Sequence, residues 1–140
     1  MNLNPNNDFF NHKKKIIKII YSSLEDLCEC QREKHIQDIL ARRLKCKSRI
    51  TITSERFPDI EIDLLGDDFI MEVKYNEKYY SGFGQILVQK ILYNYSNNYL
   101  IHIHEYLDSK FIGAFNKLSK ESNISGILIN KRKKQIEVIT

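Results

Sequence analysis

The chain has 140 residues and a formal net charge of +4, with 42% apolar and 29% charged residues. That is the length of one domain with a core of its own, and the apolar runs fall short of the ~20 residues a membrane helix needs. The asparagine-rich, then lysine-rich start lacks an apolar stretch and a small-residue cleavage site, so the expected setting is the cytoplasm, without membrane association. Cys28, Cys30 and Cys46 make an odd count, and the first two point in different directions on a helix, so idle thiols are expected rather than a metal grip.

Residues 1–7 read as a loose tail ahead of a single domain spanning the chain. From about Asp8 the pattern is helical, with a break near Tyr21-Ser22-Ser23, where Ser23 can cap a second helix running to about Lys45. Its apolar stripe is Ile36, Leu40 and Leu44. Arg49 to Glu55 alternates like a strand. Ser81-Gly82-Phe83-Gly84 opens a helix through about Tyr95, Tyr99 to His104 is a strand, and Asp108 to Glu121 is a helix. Ile124 to Ile129 and Gln135 to Ile139 form a closing hairpin whose turn holds Lys131, Arg132, Lys133 and Lys134. A meander followed by a strand–helix–strand crossover predicts an α/β fold, a mixed sheet with helices on both faces.

The most informative segment runs from Pro58-Asp59 to Glu72-Val73-Lys74. Ile60, Ile62 and Leu64 alternate with Glu61 and Asp63, and Phe69, Met71, Val73 and Tyr75 alternate with Ile70, Glu72 and Lys74. Each arm of the expected hairpin therefore has an apolar and a polar side. The register expected here pairs Leu64 with Phe69 and Leu65 with Asp68, leaving Gly66-Asp67 as a type II′ turn. Asp59 then faces Lys74, Glu61 faces Glu72, and Asp59 and Glu72 are diagonal neighbours roughly 7–8 Å apart at the backbone. Carboxylates so placed can converge on one cation. The plainer reading is a solvated strand face with an ordinary Asp59–Lys74 ion pair.

Taken with the order of elements, Pro58-Asp59 and Glu72-Val73-Lys74 resemble the signature of the PD-(D/E)XK nuclease superfamily, the restriction-endonuclease-like fold. Length and spacing are similar to those of archaeal Holliday junction resolvases and related small nucleases, over roughly Glu33 to His104. The resemblance implies a restriction-endonuclease-like core, a three-strand meander plus a crossover strand flanked by helices. It implies a Mg²⁺- or Mn²⁺-dependent endodeoxyribonuclease, either structure-specific or homing- and restriction-like, acting on DNA as a homodimer without a nucleotide cofactor. By it Asp59 and Glu72 bind the ion, helped by the Val73 carbonyl, and Lys74 orients or deprotonates the attacking water. Asp63, which shares the face of Asp59 and Glu61, is the reserve for the first ligand.

An additional acid from the helix before the meander falls on Glu33, which lies near the direction of the Ile36–Leu40–Leu44 stripe; Glu29 shares that direction and Asp38 points away. Gln85, at the start of the third helix, resembles the glutamine such nucleases place beside the lysine. The basic residues Lys131, Arg132, Lys133, Lys134, Arg42 and Arg43 are the candidate DNA contacts around an acidic pocket. His102 and His104 share a strand face without a third ligand, so packing is expected of them rather than metal binding. Tyr79, Tyr80, Tyr93, Tyr95 and Tyr99 are expected at the core and its edges. From a different class, the same fold can serve as a catalytically silent nucleic-acid-binding or assembly module.

Overall fold

The computed structural model describes residues 5–139, with side chains from residue 11 onward. Eleven elements follow in order: α1 (Pro5–Ser22), α2 (Leu24–Glu29), α3 (Glu33–Leu44), β1 (Lys47–Ile52), β2 (Ile60–Leu65), β3 (Ile70–Tyr75), α4 (Phe83–Tyr93), β4 (Asn98–His104), α5 (Ser109–Glu121), β5 (Ser125–Asn130) and β6 (Gln135–Ile139). The six strands lie in chain order in one sheet. β1, β2 and β3 form an antiparallel meander, β4 and β5 add in parallel, and β6 closes antiparallel to β5. The protein is thus α/β, a mixed six-stranded sheet flanked by helices.

The central strand β4 is buried along its whole length, as a parallel strand covered on both faces must be. Its odd-numbered residues Tyr99, Ile101 and Ile103 join Ile16, Ile20, Leu27, Ile36 and Leu40 of α1–α3 in one core. Leu100 on the other face joins Phe83, Ile86 and Phe115 of α4 and α5 in a second. Ile36 and Leu40 are fully buried, each contributing about 1.5–3 kcal/mol. No helix among the described residues is long and apolar enough to cross a membrane.

Three local features differ from the expectation drawn from sequence. Residues 5–7 of the expected tail are the first turn of α1, where Pro5 has no N–H to leave unpaired; residues 1–4 lie outside the described residues. The second helix is two helices, because the chain turns extended at Cys30 and Arg32. There the Cys30 carbonyl accepts a hydrogen bond from Lys131 Nζ at 2.6 Å instead of continuing a helical ladder. Third, the β2–β3 hairpin pairs Leu64 with Met71 and Leu65 with Ile70, two residues away from the expected partners. Gly66 N–H donates to Phe69 O at 2.9 Å, so these two close the hairpin over an Asp67-Asp68 loop. Gly66 does not take the positive φ that a type II′ turn needs. Its hydrogen side chain serves another end: a Cβ there would stand 2.1 Å from Phe69 Cε1, and that ring is buried edge-on against Tyr99.

Candidate active site

A two-residue shift keeps every side chain on its own face, since strand faces alternate with period two. It changes only which acids meet. The β2–β3 ladder stops at Leu64–Met71, and the next position brings Asp63 level with Glu72. There carboxylates take the place of backbone partners. Asp63 N–H donates to Glu72 Oε1 at 3.3 Å, and Val73 N–H donates to Asp63 Oδ2 at 2.9 Å. The two strands are therefore bridged by a pair of acids at the point where they part.

Glu72 is only 1% exposed. It leaves β3 on the same face as Leu100, its partner on β4, and so points toward α4. Gln89 of α4, also buried, donates from Nε2 to Glu72 Oε1 at 2.7 Å. The other oxygen, Glu72 Oε2, is buried without a hydrogen-bond partner among the described residues. Burial pushes the Glu72 carboxyl up to about 8, the side chain and charge of Asp63 push the same way, and the hydrogen bonds from Gln89 and the Asp63 N–H only partly offset them.

Lys74 follows on the same face of β3, level with His102 of β4 and half-buried. Among the described residues its ammonium makes no ion pair within 4.0 Å. Glu33, the first residue of α3, reaches over from the other layer: its Oε1 accepts from Tyr75 N–H at 3.2 Å. Burial raises its carboxyl, the charge of Lys74 opposes this, and that of Asp63 adds to it. Asp63, Glu72, Lys74, Glu33 and Gln89 thus meet around one opening of the sheet.

The remaining candidates lie elsewhere. Asp59 precedes β2 in an exposed segment, four residues short of the acid that faces Glu72. Gln85 is exposed, one helical turn before the glutamine that reaches Glu72. Glu29 is exposed at the end of α2, and exposed Asp38 is held by Arg49 at 2.8 Å. Of the basic residues, Lys131 is drawn inward, to Cys30 O at 2.6 Å, the Tyr75 hydroxyl at 2.8 Å and Glu105 at 3.8 Å. Lys134 sits 3.7 Å from Glu25, and Arg43 pairs with Asp26. Arg42, Arg132 and Lys133 are exposed.

His102 and His104 pack, as the sequence suggested. The carbonyl of Ser81 can only accept, so His102 donates to it from Nε2 at 2.7 Å. His102 Nδ1 must then accept from His104 Nε2–H at 3.0 Å. Burial drives both imidazoles down to about 4. The pair ties the segment before α4 to β4.

Gly82 completes that junction. It caps α4 at φ +93°, and a Cβ on it would stand 2.5 Å from Leu100 Cδ1 and 3.5 Å from Lys74 Cε. Only glycine lets the start of α4 settle this close to the lysine stem. Gly82→Ala is expected to cost ~1–3 kcal/mol through strain and overpacking. Gly84→Ala, where a Cβ meets open space, is expected to be neutral or stabilising by ~0.5–1 kcal/mol. Urea midpoints of the two variants check the contrast.

Gln89 is the site residue that the sequence reading missed. Its signal was position, since it lies three residues after buried Ile86, which lies three after buried Phe83, on the inward arc of the helix. The donor set suits a hard divalent cation: two adjacent carboxylates, a buried oxygen with no partner and a third acid nearby. No three His, Cys, Asp or Glu groups among the described residues are gathered as a ready-made cage, and Mg²⁺ commonly takes one or two carboxylates and keeps water for the rest. No protein-family model, curated protein or solved structure matches this chain.

Proposed function

We propose that the chain is a metal-dependent endodeoxyribonuclease with a restriction-endonuclease-like core, working as a homodimer in which each copy cuts one strand. The observation that carries this reading is the pairing of half-buried Asp63 with buried Glu72 at the parting of β2 and β3, with Lys74 on the same face. A buried carboxylate with a second one beside it is costly to ionise unless something cationic compensates. The meander, the crossover through α4 to parallel β4 and the acid at the head of α3 support the same reading.

In this reading Asp63 and Glu72 hold Mg²⁺ or Mn²⁺. A hard ion there supplies the charge that polarises a phosphate oxygen and acidifies its bound water. Gln89 fixes the rotamer of Glu72 by occupying Oε1, which leaves Oε2 for the cation. The Lys74 ammonium, uncommitted to an acid, orients the attacking water and offsets the charge that grows on the phosphate. Glu33, anchored on Tyr75 N–H, keeps a third carboxylate within reach of Lys74. Of the six basic candidates, exposed Arg42, Arg132 and Lys133 are the ones left to meet a phosphate backbone.

The test is nicking of supercoiled plasmid with Mg²⁺, Mn²⁺ or EDTA. Wild type is expected to nick only with metal, and Glu72→Ala and Lys74→Ala to lose at least about 10²-fold while DNA affinity largely survives. Undiminished cleavage by both variants refutes the assignment. A wild type that binds DNA and never nicks it favours the silent module on the same fold.

A further inference from the structure

The loop from Asn76 to Ser81 joins the strand of Lys74 to the helix of Gln89, and both of its ends are pinned. Asn76 donates its N–H to Ile103 O at 2.9 Å and accepts on Oδ1 from Glu105 N–H at 3.1 Å. Ser81 donates to Lys78 O at 2.9 Å and accepts from His102 Nε2 at 2.7 Å. Between these anchors Tyr79 and Tyr80 remain 41% and 52% exposed. Tyr79 stands edge-on to Phe111, with ring centroids 6.3 Å apart, and to Tyr80, at 5.2 Å. Lys78 Nζ lies 5.8 Å from the centre of the Tyr80 ring. Tyr80 is thus an exposed ring on a braced loop with a cation beside it.

Its position relative to the acids matters. Gly82, two residues on, lies against the Lys74 stem. Two steps of ~3.8 Å keep the Tyr80 backbone within about 8 Å of Gly82. A strand with its phosphate at Lys74 would therefore have its neighbouring bases within reach of the tyrosine. Fully paired DNA hides the flat faces of its bases inside the stack, whereas unpaired bases present them to aromatic side chains.

We propose that Tyr80, braced by Tyr79 and Phe111 and flanked by Lys78, is a stacking platform for an unpaired base of single-stranded DNA. This rests on the nuclease reading in placing the strand at Lys74. The substrates it selects are single strands or duplexes with unpaired nucleotides, over fully paired DNA.

The test uses the full-length Glu72→Gln protein, expected to bind without cutting, and fluorescence anisotropy on a labelled single strand, a blunt duplex and a duplex with an unpaired tail. The single strand and the tailed duplex are expected to bind more tightly than the blunt duplex. Adding Tyr80→Ala should weaken the first two by roughly 5- to 50-fold and the blunt duplex by less than about twofold. Tyr80→Phe should retain the preference, and Tyr21→Ala, an equally exposed tyrosine on the α1 side of the sheet, should change nothing. Equal weakening on all three DNAs, no weakening, or tightest binding to the blunt duplex overturns the platform. Because binding is read without cleavage, a Tyr80-dependent preference in a protein that never nicks plasmid refutes only the nuclease reading. Nicking with a neutral Tyr80→Ala refutes only the platform.

Discussion

Asp63→Asn is expected to lower Mg²⁺-dependent nicking by at least about 10²-fold, while Asp59→Asn leaves it within about twofold. The two acids share a strand parity and differ by four residues, so sequence spacing alone barely separates them. The structure does. Asp63 meets Glu72 and Val73 across the parting strands, and Asp59 stands exposed before β2 begins. Asparagine at position 63 can still accept from Val73 N–H, so the local backbone contact survives. It also removes the charge that pushes Glu72 upward, so the metal-free variant should be at least as stable as wild type at pH 8. Lost activity in a protein that melts no earlier identifies a ligand rather than a structural prop. Equal losses at both positions, or a loss confined to Asp59→Asn, would sink this assignment.

The fold was largely legible because its signals are periodic. β4 could be read from Tyr99, Leu100, Ile101 and Ile103 around two histidines, and α5 from the helical pattern after Asp108, whose side chain caps it by accepting from Phe111 N–H at 2.7 Å. The faces of β2 and β3 were legible too, since alternation fixes them whatever the register. The register itself was not. Gly66 suggested a turn, but its role is to leave room for the Phe69 ring across the hairpin, and the burial of that ring against Tyr99 is a tertiary fact. The break at Cys30 was equally invisible, because the hydrogen bond it depends on comes from Lys131, near the other end of the chain. The same contact withdraws Lys131 from the basic surface that sequence assigned it. Local pattern thus gave the faces, and contacts between distant segments chose the acids.

That choice has a consequence for stability in the absence of metal. Measured in EDTA, unfolding free energy should rise from pH 4.5 to a maximum near pH 6.5, and then fall toward pH 8. The acid limb comes from His102 and His104. Their folded values near 4 lie below the ordinary imidazole range, so the unfolded chain binds protons more readily between about 4 and 6.5. Stability they contribute is complete above that window and is lost as pH falls through it. Glu72 has the opposite sign. Its folded value near 8 lies above the carboxylate range, so the native state holds a proton that the unfolded chain has already released. Stability from that proton is present in acid and is lost as pH rises to about 8. Between pH 4.5 and 6.5 the two histidines outweigh the single acid; above 6.5 the acid outweighs what remains of their contribution. At ~1.4 kcal/mol per pH unit, and after the remaining histidine gain is set against it, the fall from pH 6.5 to 8 is about 1 kcal/mol, roughly 2–5 °C in Tm. Glu72→Gln should abolish this fall and make the acid limb steeper, since the opposing acid is gone. Mg²⁺ competes with that proton, so the rise in Tm on adding Mg²⁺ should be larger at pH 8 than at pH 6. A metal-free protein whose stability holds or climbs from pH 6.5 to 8 would mean that Glu72 is ionised without help, and the acid pair would lose its claim on a cation.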